Sequence, residues 1–339
     1  MVKALEPKYT LAADVGGTKT LFELGHTAAE GYRKLHVGHF LNADFAGVAE
    51  VTEAFLATAP QRPASIAAAC FALAGPVVDQ RVRLTNLPWE ADASVLGQRL
   101  GIARVTFVND FAAIGHGIPG LAADELLCLQ AGRPEPQGVR GVVGAGTGLG
   151  MVFMVWTGKS YQVVPSEGGK IDFAPVNEVQ NRLWTYLRHR LDRVGCEALL
   201  SGRGMERIYE FLSEADTLRM RSFGGRPAEA LLPAADITAR ALDGSDPRAV
   251  SAINLFLEIY GAVAGNFALT LISSGGLYVA GGIAPRLASF FPDSGFMQAF
   301  CAKSRTDLMR TLPVHVVLSP DVGLRGAVAL AAETAAGLA

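Results

Sequence analysis

LAADVGGTKT, residues 11–20, is an apolar run that ends in a carboxylate, Asp14, and continues at once into two glycines. Gly16 and Gly17 are predicted to supply the positive φ angles of a two-residue hairpin turn, with KTLFEL as the returning strand. A carboxylate at the end of an apolar strand loses hydration unless something partners it, and a glycine turn lets backbone N–H groups approach an anion closely. The stretch therefore predicts either a plain hairpin or a hairpin that serves a metal-nucleotide site.

The composition of the 339-residue chain narrows the classes of function. Its hydrophobic content of 50% can fill the cores of two domains, and its net charge of -2 offers no basic surface for nucleic acid or an anionic membrane. The N-terminus shows no export signal, so we expect a cytoplasmic protein with small soluble partners. The cysteines lack the spacing of a zinc site or a disulfide scaffold, and we predict reduced core residues at Cys70, Cys128, Cys196 and Cys301.

Residues 252–272, AINLFLEIYGAVAGNFALTLI, are long and apolar enough to be considered as a membrane span. Asn254, Glu258 and Asn266 would each be costly in hydrocarbon, whereas a long helix between protein layers tolerates them at its polar edges. The segment is predicted to be a central core helix, and no membrane partner is expected.

Each half of the chain opens with a meander of strands. In the first half YTLAAD, KTLFELG and YRKLHVG precede an amphipathic helix near residues 46–59, and further short strands follow. From residue 141, RGVVGAGTGLG and GMVFMVWTGKSYQVV repeat the meander, and helices and the strands GLYVAGG and PVHVVLS come after it. The repetition predicts an α/β protein of two lobes facing a cleft, each a mixed sheet flanked by helices. We place the smaller lobe at 1–138 and the larger at 139–339.

Two further glycine-rich turns extend the pattern of the first. GAGTGLG, residues 144–150, has glycines at alternate positions, which cost backbone entropy that a simple turn does not need. Its N–H groups and the Thr147 hydroxyl could hold phosphate oxygens without a positive side chain. YVAGGIAP puts Gly281 and Gly282 between a strand and a predicted helix, where N–H groups could lie beside a nucleoside. Three such turns, with a carboxylate in the first, predict a nucleotide-phosphate site.

These motifs resemble those of the bacterial glucokinases, which belong to the hexokinase and actin-like ATPase superfamily. In that family DVGGT is the first phosphate motif, GAGTGLG is the second and AGGI lines the adenosine side. The likeness covers nearly the whole chain in the expected order, through AGPV, TNLPW, VNDFAA, EGGKIDFAP, CEALLSGRG and GLRGA. It implies a two-lobed actin-like ATPase fold of the ribonuclease H type, a homodimer, and ATP-dependent phosphorylation of the 6-hydroxyl of glucose at the entry to glycolysis.

The resemblance also implies that the three glycine turns hold ATP and magnesium. Asp14 would face the transferred phosphate through Mg²⁺ and its waters, since magnesium is usually held by one or two carboxylates plus nucleotide oxygens. The predicted ATP-binding residues are Ala13, Asp14, Val15, Gly16, Gly17, Thr18, Gly146, Thr147, Gly148, Gly281 and Gly282.

Asn109 and Asp110, at the end of the apolar strand VTFVND, could be a helix-capping pair or could take part in catalysis. Phosphoryl transfer to an alcohol needs a carboxylate within reach of the attacking hydroxyl, and the resemblance assigns that role to Asp110. Glu197 on its own is typical of a helix-surface acid, but it matches a sugar-binding glutamate of the family. Ionised carboxylates accept hydrogen bonds from adjacent sugar hydroxyls. The predicted sugar-binding residues are Gly75, Asn86, Asn109, Asp110, Glu167, Lys170 and Glu197.

Lys170 departs from the family, which has histidine at this position of the EGGH motif. Lysine is a charged donor on a flexible stem, so it could donate to a sugar hydroxyl or pair with Glu167 or Glu197. It could instead favour a sugar with a different or anionic substituent, although two glutamates would repel an acid. The related ROK sugar kinases carry a histidine and a cysteine cluster for zinc, and this sequence has neither, so no zinc is expected.

Two alternatives to a glucose kinase remain open at this point. One is a kinase for another hexose or a modified sugar, for which Lys170 is the reason. The other is a non-catalytic sugar or nucleotide sensor, which would not need Asp110 together with three nucleotide turns. Regulators related to sugar kinases add a DNA-binding helix pair, and the 13 residues before Asp14 leave no room for one.

Overall fold

The structure is a computed structural model, and it describes residues 8–28, 31–60, 63–218 and 232–337. The chain forms two compact units, residues 1–121 together with 321–339 (unit 1) and residues 122–320 (unit 2). This division differs from the predicted lobes 1–138 and 139–339. The strand Leu126–Gln130 pairs in the second sheet, and the closing helix Val322–Ala336 packs on the first.

The secondary structure alternates strands and helices in both units. The strands are β1 (Lys8–Val15), β2 (Lys19–Ala28), β3 (Gly31–Leu41), β4 (Ala68–Leu73), β5 (Val77–Val78), β6 (Arg81–Arg83), β7 (Glu90–Asp92), β8 (Val105–Asn109), β9 (Leu126–Gln130), β10 (Arg140–Ala145), β11 (Leu149–Trp156), β12 (Tyr161–Ser166), β13 (Gly276–Ala280) and β14 (Val314–Val317). The helices are α1 (Val48–Thr58), α2 (Ala93–Leu100), α3 (Asp110–Gly117), α4 (Glu178–Arg188), α5 (Gly202–Leu218), α6 (Ala234–Leu242), α7 (Pro247–Leu271), α8 (Phe296–Cys301), α9 (Thr306–Met309) and α10 (Val322–Ala336).

Unit 1 is built on a five-stranded sheet of order β3-β2-β1-β4-β8. β1, β4 and β8 run parallel, and β2 is antiparallel to both of its neighbours. Every residue of β4 is buried, because β1 and β8 flank it and helices cover the sheet. β5, β6 and β7 form a separate small antiparallel sheet.

Helices α3 and α10 lie close together on one face of this sheet. A layer of small side chains makes the approach possible: Ala12, Cys70, Ala72, Ala113, Ala327 and Ala331. Glycine is required where the two helices meet, because a Cβ on Gly326 would lie 1.8 Å from the Ala113 carbonyl oxygen. A Cβ on Gly117 would likewise lie 2.1 Å from the Val322 carbonyl oxygen. The C-terminal helix is therefore an integral part of the first unit.

Unit 2 repeats this topology around the sheet β12-β11-β10-β13-β14-β9. β10, β13 and β14 are parallel and β11 is antiparallel to β10, as β1, β4, β8 and β2 are in unit 1. β9 adds an antiparallel edge strand next to β14. The two-fold repeat predicted from the sequence is present, and the α/β fold class is confirmed.

The long apolar segment forms α7 and is a core helix of unit 2. Asp246 caps its N-terminus by accepting hydrogen bonds from the amides of Arg248 and Ala249. Among the described residues it is the helix long and apolar enough to cross a membrane, and most of it is buried against α5, α6 and α8. The prediction of a core helix is confirmed.

The cysteines are free in the structure, but they do not all lie in the core. Cys70 and Cys196 are buried, and burial raises the pKa of their thiols to about 12 and about 11. Cys301 is half-buried, whereas Cys128 is exposed on β9. The prediction of a core position is therefore wrong for Cys128, because β9 is an edge strand with an open face.

Candidate active site

The first glycine turn is the tip of the β1–β2 hairpin. Val15 pairs with Thr20, and the Gly16 amide donates to the Lys19 carbonyl over 3.1 Å. Neither Gly16 nor Gly17 has a positive φ, so that part of the prediction is wrong. Glycine at 17 instead leaves room for a neighbour, because a Cβ there would lie 3.1 Å from Cβ of Asn86.

A buried side chain that the sequence did not single out holds this turn. Asn42, which is 1% exposed, donates from Nδ2 to the Gly16 carbonyl over 2.8 Å and accepts from the Thr20 hydroxyl over 2.7 Å. Its own amide donates to the Thr18 carbonyl over 2.9 Å. Asn42 thus bonds both strands of the hairpin. Because these bonds span 22 and 26 residues of sequence, no local sequence pattern reveals this role.

Asp14 is half-buried at the end of β1. Burial raises the pKa of Asp14 to about 7, and the negative charge of Asp110 raises it further, while Lys19 opposes the shift. The first turn of α10 lies against it, since a Cβ on Gly323 would stand 3.0 Å from Asp14 Oδ2. The Asp14 carboxylate is therefore desolvated and lies near a second acid, Asp110. Its predicted ATP-site neighbours Ala13 and Val15 are fully buried and offer only backbone groups, and Thr18 is exposed.

Asn109 caps helix α3, and its side chain also helps to orient the Asp110 carboxylate. The side-chain oxygen Oδ1 of Asn109 accepts from the amides of Phe111 and Ala112, at 3.0 and 3.2 Å, and so caps α3. Its Nδ2 donates to the Gly75 carbonyl over 3.1 Å and to Asp110 Oδ1 over 3.0 Å. Asp110 Oδ1 also accepts from the Phe111 amide over 2.8 Å.

These bonds orient the Asp110 carboxylate through Oδ1, whereas Oδ2 accepts neither of them. Burial raises the pKa of Asp110, although the bonds from Phe111 and Asn109 lower it in part. All four hydrogen-bonding positions of the Asn109 amide are engaged within the chain. Gly75 takes part through its backbone and must be glycine, because a Cβ would lie 2.6 Å from the Arg83 carbonyl oxygen.

The second glycine turn is also a hairpin tip, between β10 and β11. Ala145 pairs with Leu149, the Gly146 amide donates to the Gly148 carbonyl over 2.8 Å, and Thr147 is exposed at the tip. A Cβ on Gly148 would lie 2.4 Å from Glu197 Oε2, so a larger residue here displaces the Glu197 carboxylate. Gly148 therefore makes room for Glu197, whereas a Cβ on Gly146 would meet nothing nearer than the Gly282 nitrogen at 3.9 Å, and neither glycine has a positive φ.

Glu197 joins the second glycine turn to Lys170. Its Oε2 accepts from the Leu149 amide over 3.0 Å, and its Oε1 lies 2.6 Å from Lys170 Nζ. Glu197 belongs to the short 3-10 turn Cys196–Ala198, so the interpretation as a helix-surface acid is wrong. Of the two partners predicted for Lys170, the structure selects this glutamate.

Glu167 begins the short 3-10 turn Gly168–Lys170, and its side chain is exposed. Gly169 of this turn approaches the same Leu149, because a Cβ on it would lie 1.8 Å from the Leu149 carbonyl oxygen. Both predicted sugar glutamates of unit 2 are therefore anchored around one residue of the second glycine turn.

The third glycine turn packs on the second at Ala145. Gly281 has a φ of 83°, and a Cβ on it would lie 2.5 Å from the Ala145 carbonyl oxygen. The Ile283 amide donates to that oxygen over 3.2 Å. The predicted helix after Gly282 is only a 3-10 turn, Ala284–Leu287.

A family model described as Glucokinase matches residues 11–334. The chain belongs to the glucokinase family. The glucokinase of Nostoc punctiforme is 41% identical over 342 residues, which cover 95% of this chain and 98% of that relative. The crystal structure of a glucokinase from an Antarctic psychrotroph is 31% identical, with a TM-score of 0.80, and covers 96% of this chain and 99% of its own.

The glucokinase fold extends to the ROK family. The ROK family glucokinase of Streptomyces griseus, solved in complex with glucose and AMPPNP, has a TM-score of 0.64 at 23% identity and covers 95% of this chain and 99% of its own. The resemblance seen in the sequence motifs is thus confirmed. In this glucokinase-family chain, the described residues contain no group of three or more His, Cys, Asp or Glu side chains placed to hold a metal ion.

Proposed function

We propose that the protein is an ATP-dependent glucokinase that phosphorylates the 6-hydroxyl of glucose, with Asp110 as the catalytic base. The single observation that carries the proposal is the Asp110 carboxylate, which is held by the Phe111 amide and the Asn109 side chain through Oδ1. Membership of the glucokinase family supports the substrate and the donor.

The proposed chemistry is a direct transfer. The sugar 6-oxygen bonds to the γ-phosphorus of ATP as the bond from that phosphorus to the bridging oxygen breaks, and ADP leaves with the electron pair. Asp110 Oδ2 accepts the hydroxyl proton. A pKa raised by burial makes this carboxylate a stronger base than an exposed aspartate. The protein otherwise contributes positioning and electrostatic stabilisation.

We assign the sugar hydroxyls to Glu167, Lys170 and Glu197, with Gly75, Asn86 and Asn109 completing the sugar residues. Glu197 is oriented before any sugar binds, because both of its carboxylate oxygens have partners in the protein. A hydroxyl would add to these bonds by donating to Glu197 and accepting from Lys170. Asn109 acts mainly by orienting Asp110, since its amide group is fully engaged.

ATP is assigned to the three glycine turns, through Gly16, Gly17, Gly146, Thr147, Gly148, Gly281 and Gly282. Magnesium fits beside Asp14, because a half-buried carboxylate with a second acid, Asp110, nearby is stabilised by a cation. One carboxylate with phosphate oxygens and water is a usual magnesium environment. When bound there, the ion would neutralise charge on the transferred phosphate.

The family resemblance also supports a cytoplasmic homodimer without zinc, nucleic acid or a membrane as partner. Light scattering coupled to size-exclusion chromatography measures the mass of the particle. A mass of one chain at enzyme concentrations used for assay would contradict the dimer.

Coupled detection of ADP release with Mg-ATP tests the main proposal. The sugars are glucose, mannose, fructose, glucosamine, N-acetylglucosamine and glucuronate, and Asp110→Asn is run beside Asp124→Asn, an exposed acid. We expect the highest kcat/KM for glucose, and kcat lower by about 10²- to 10⁴-fold in Asp110→Asn alone. Equal activity of the two variants would remove Asp110 as the base, and ATP binding without turnover of any sugar would indicate a sensor.

A kinase for another hexose is the second candidate, and the ion pair of Lys170 with Glu197 favours it. An ammonium group 2.6 Å from a sugar-binding carboxylate changes which hydroxyl pattern that carboxylate can accept. The same sugar panel on Lys170→His decides the matter. If glucose is poor in the native protein and improves in the variant, Lys170 sets a different specificity; if glucose is already the best substrate, Lys170 is a tolerated substitution.

A further inference from the structure

Tyr260 is a fully buried residue in the middle of α7 whose hydroxyl reaches the end of β10. The hydroxyl donates to the Val143 carbonyl over 3.1 Å and accepts from the Ala145 amide, also over 3.1 Å. Both bonds go to the backbone immediately before the second glycine turn. Burial raises the pKa of Tyr260, so the phenol stays protonated and can serve as donor and acceptor at once.

These bonds reach the backbone where the pairing between β10 and β13 ends. The last pair between β10 and β13 is Gly144 with Ala280, after which the chain turns away at Gly281. Ala145 lies one residue beyond the last paired position. Its carbonyl is taken up by the Ile283 amide and its amide by Tyr260. A buried backbone N–H without such a partner would be costly.

The position of the hydroxyl is fixed from behind by the packing of α7. A Cβ on Gly261 would lie 2.0 Å from the Phe296 carbonyl oxygen, so α7 and α8 are in backbone contact next to Tyr260. The Tyr260 ring makes edge contacts with Phe256 and Phe296, at centroid distances of 5.9 and 5.8 Å. A phenylalanine ring would make the same packing contacts. The hydroxyl is therefore the group of Tyr260 that bonds to β10.

We propose that Tyr260 is a positioning residue for nucleotide binding, which acts by holding Val143 and Ala145 so that the second glycine turn presents its amides in a fixed geometry. The inference rests on the proposed function, since it assigns phosphate binding to that turn. Tyr260 touches neither substrate. It acts through Ala145, on which Gly281 of the third turn also packs. One hydroxyl therefore supports two of the three nucleotide turns.

The test compares Tyr260→Phe with Tyr209→Phe. Tyr209 is the control, because Tyr209→Phe also removes a hydrogen-bonded tyrosine hydroxyl from unit 2. Tyr209 makes one such bond, to Asp246 at the N-terminal end of the same helix, whereas Tyr260 makes two. We expect Tyr260→Phe to raise KM for Mg-ATP and the calorimetric Kd for Mg-ADP by about five- to tenfold, with KM for glucose unchanged. The control should leave all three values at those of the native protein.

Equal Kd values for Mg-ADP in Tyr260→Phe and the native protein would overturn the proposal, as would an equal rise in both KM values. Nucleotide binding needs no turnover, so this arm still decides the role of Tyr260 if no sugar proves to be a substrate. Amide hydrogen exchange on the native protein covers the case of a variant that fails to fold. Protection of the Ala145 amide before nucleotide is added supports the proposal, and fast exchange that slows only with Mg-ADP contradicts it.

Discussion

The first and second glycine turns are hairpin tips at equivalent places in two sheets of the same topology, yet they are stabilised differently. In unit 1 the side chain of Asn42 bonds the turn itself, at Gly16 and Thr20. In unit 2 the hydroxyl of Tyr260 bonds the strand before the turn. Asp14 is the penultimate residue of β1, where β10 has Gly144. The comparison indicates that the repeated fold supplies the turns, whereas separate buried polar groups make each one a defined surface.

The largest expected effect on kcat comes from removing the Asp14 carboxylate, which stands beside the first turn and has no equivalent at the second. We expect Asp14→Asn to lower kcat by about 10²-fold or more, because charge stabilisation at the transferred phosphate is lost. The thermal midpoint should not fall, since the variant removes a desolvated charge with a raised pKa. Steady-state kinetics and differential scanning fluorimetry measure the two effects. Loss of stability in parallel with activity would make Asp14 a structural residue.

The glycines of the two turns should differ in the substrate that they affect. Gly148→Ala places a Cβ against the Glu197 carboxylate, where the space is 2.4 Å, and we expect kcat/KM for glucose to fall by about 10²-fold. In Gly17→Ala the new Cβ meets Cβ of the exposed Asn86 at 3.1 Å. We therefore expect kcat/KM to change by about threefold or less. The kinetics of the two variants, measured together, test the comparison. Similar losses in both would show that turn flexibility, rather than the space at Glu197, is the reason for glycine.

The buried polar group of the first turn should affect stability as well as binding. Asn42→Ala leaves the Gly16 carbonyl and the Thr20 hydroxyl without this partner, which we expect to lower the free energy of unfolding by about 1–3 kcal/mol. KM for Mg-ATP should rise with it. Urea unfolding and kinetics provide the measurement, with Asn86→Ala, on the exposed side of the same turn, as the control for stability. A stable Asn42→Ala protein with native KM would contradict the role of Asn42.

The smallest expected effect on stability is that of the ion pair at the second turn. The side chains of Lys170 and Glu197 are 58% and 32% exposed, and exposed pairs contribute about 0.2–1 kcal/mol. Lys170→Met should therefore leave the thermal midpoint nearly unchanged while KM for glucose changes. Added salt should weaken the native pair and reduce the difference between the two proteins. A large loss of stability would show that the pair is more important to the fold than its exposure indicates.

Local patterns were sufficient to predict much of the fold. The two meanders, the helix after each of them and the core helix α7 follow from hydrophobic periodicity and turn residues, and the structure has all of them. The boundary between the units did not follow from such patterns. α10 joins unit 1 through contacts with β1 and β4 that lie about 250 to 325 residues away along the chain.

The candidate site was predictable where a motif carries the chemistry and was missed where a distant residue supports it. Asp14, Asp110 and Glu197 stand in recognisable motifs. Asn42 and Tyr260 do not, because they reach the glycine turns over 26 and 115 residues of sequence. A weak signal existed for Tyr260, since a tyrosine in an apolar helix needs a partner for its hydroxyl. The positive φ predicted at Gly16 and Gly17 was wrong, and their neighbours leave limited room for a Cβ, 3.3 Å from the Lys19 carbonyl oxygen and 3.1 Å from Asn86 Cβ.

The return of α10 to the first sheet has a consequence for synthesis on the ribosome. Unit 2 is continuous in sequence and can fold as soon as residue 320 has emerged, whereas α3 alone covers part of the sheet face formed by Ala12, Cys70 and Ala72 until α10 follows. The N-terminal unit is therefore completed last, even though its residues are translated first. A nascent chain that stalls before residue 322 presents that apolar sheet face to chaperones.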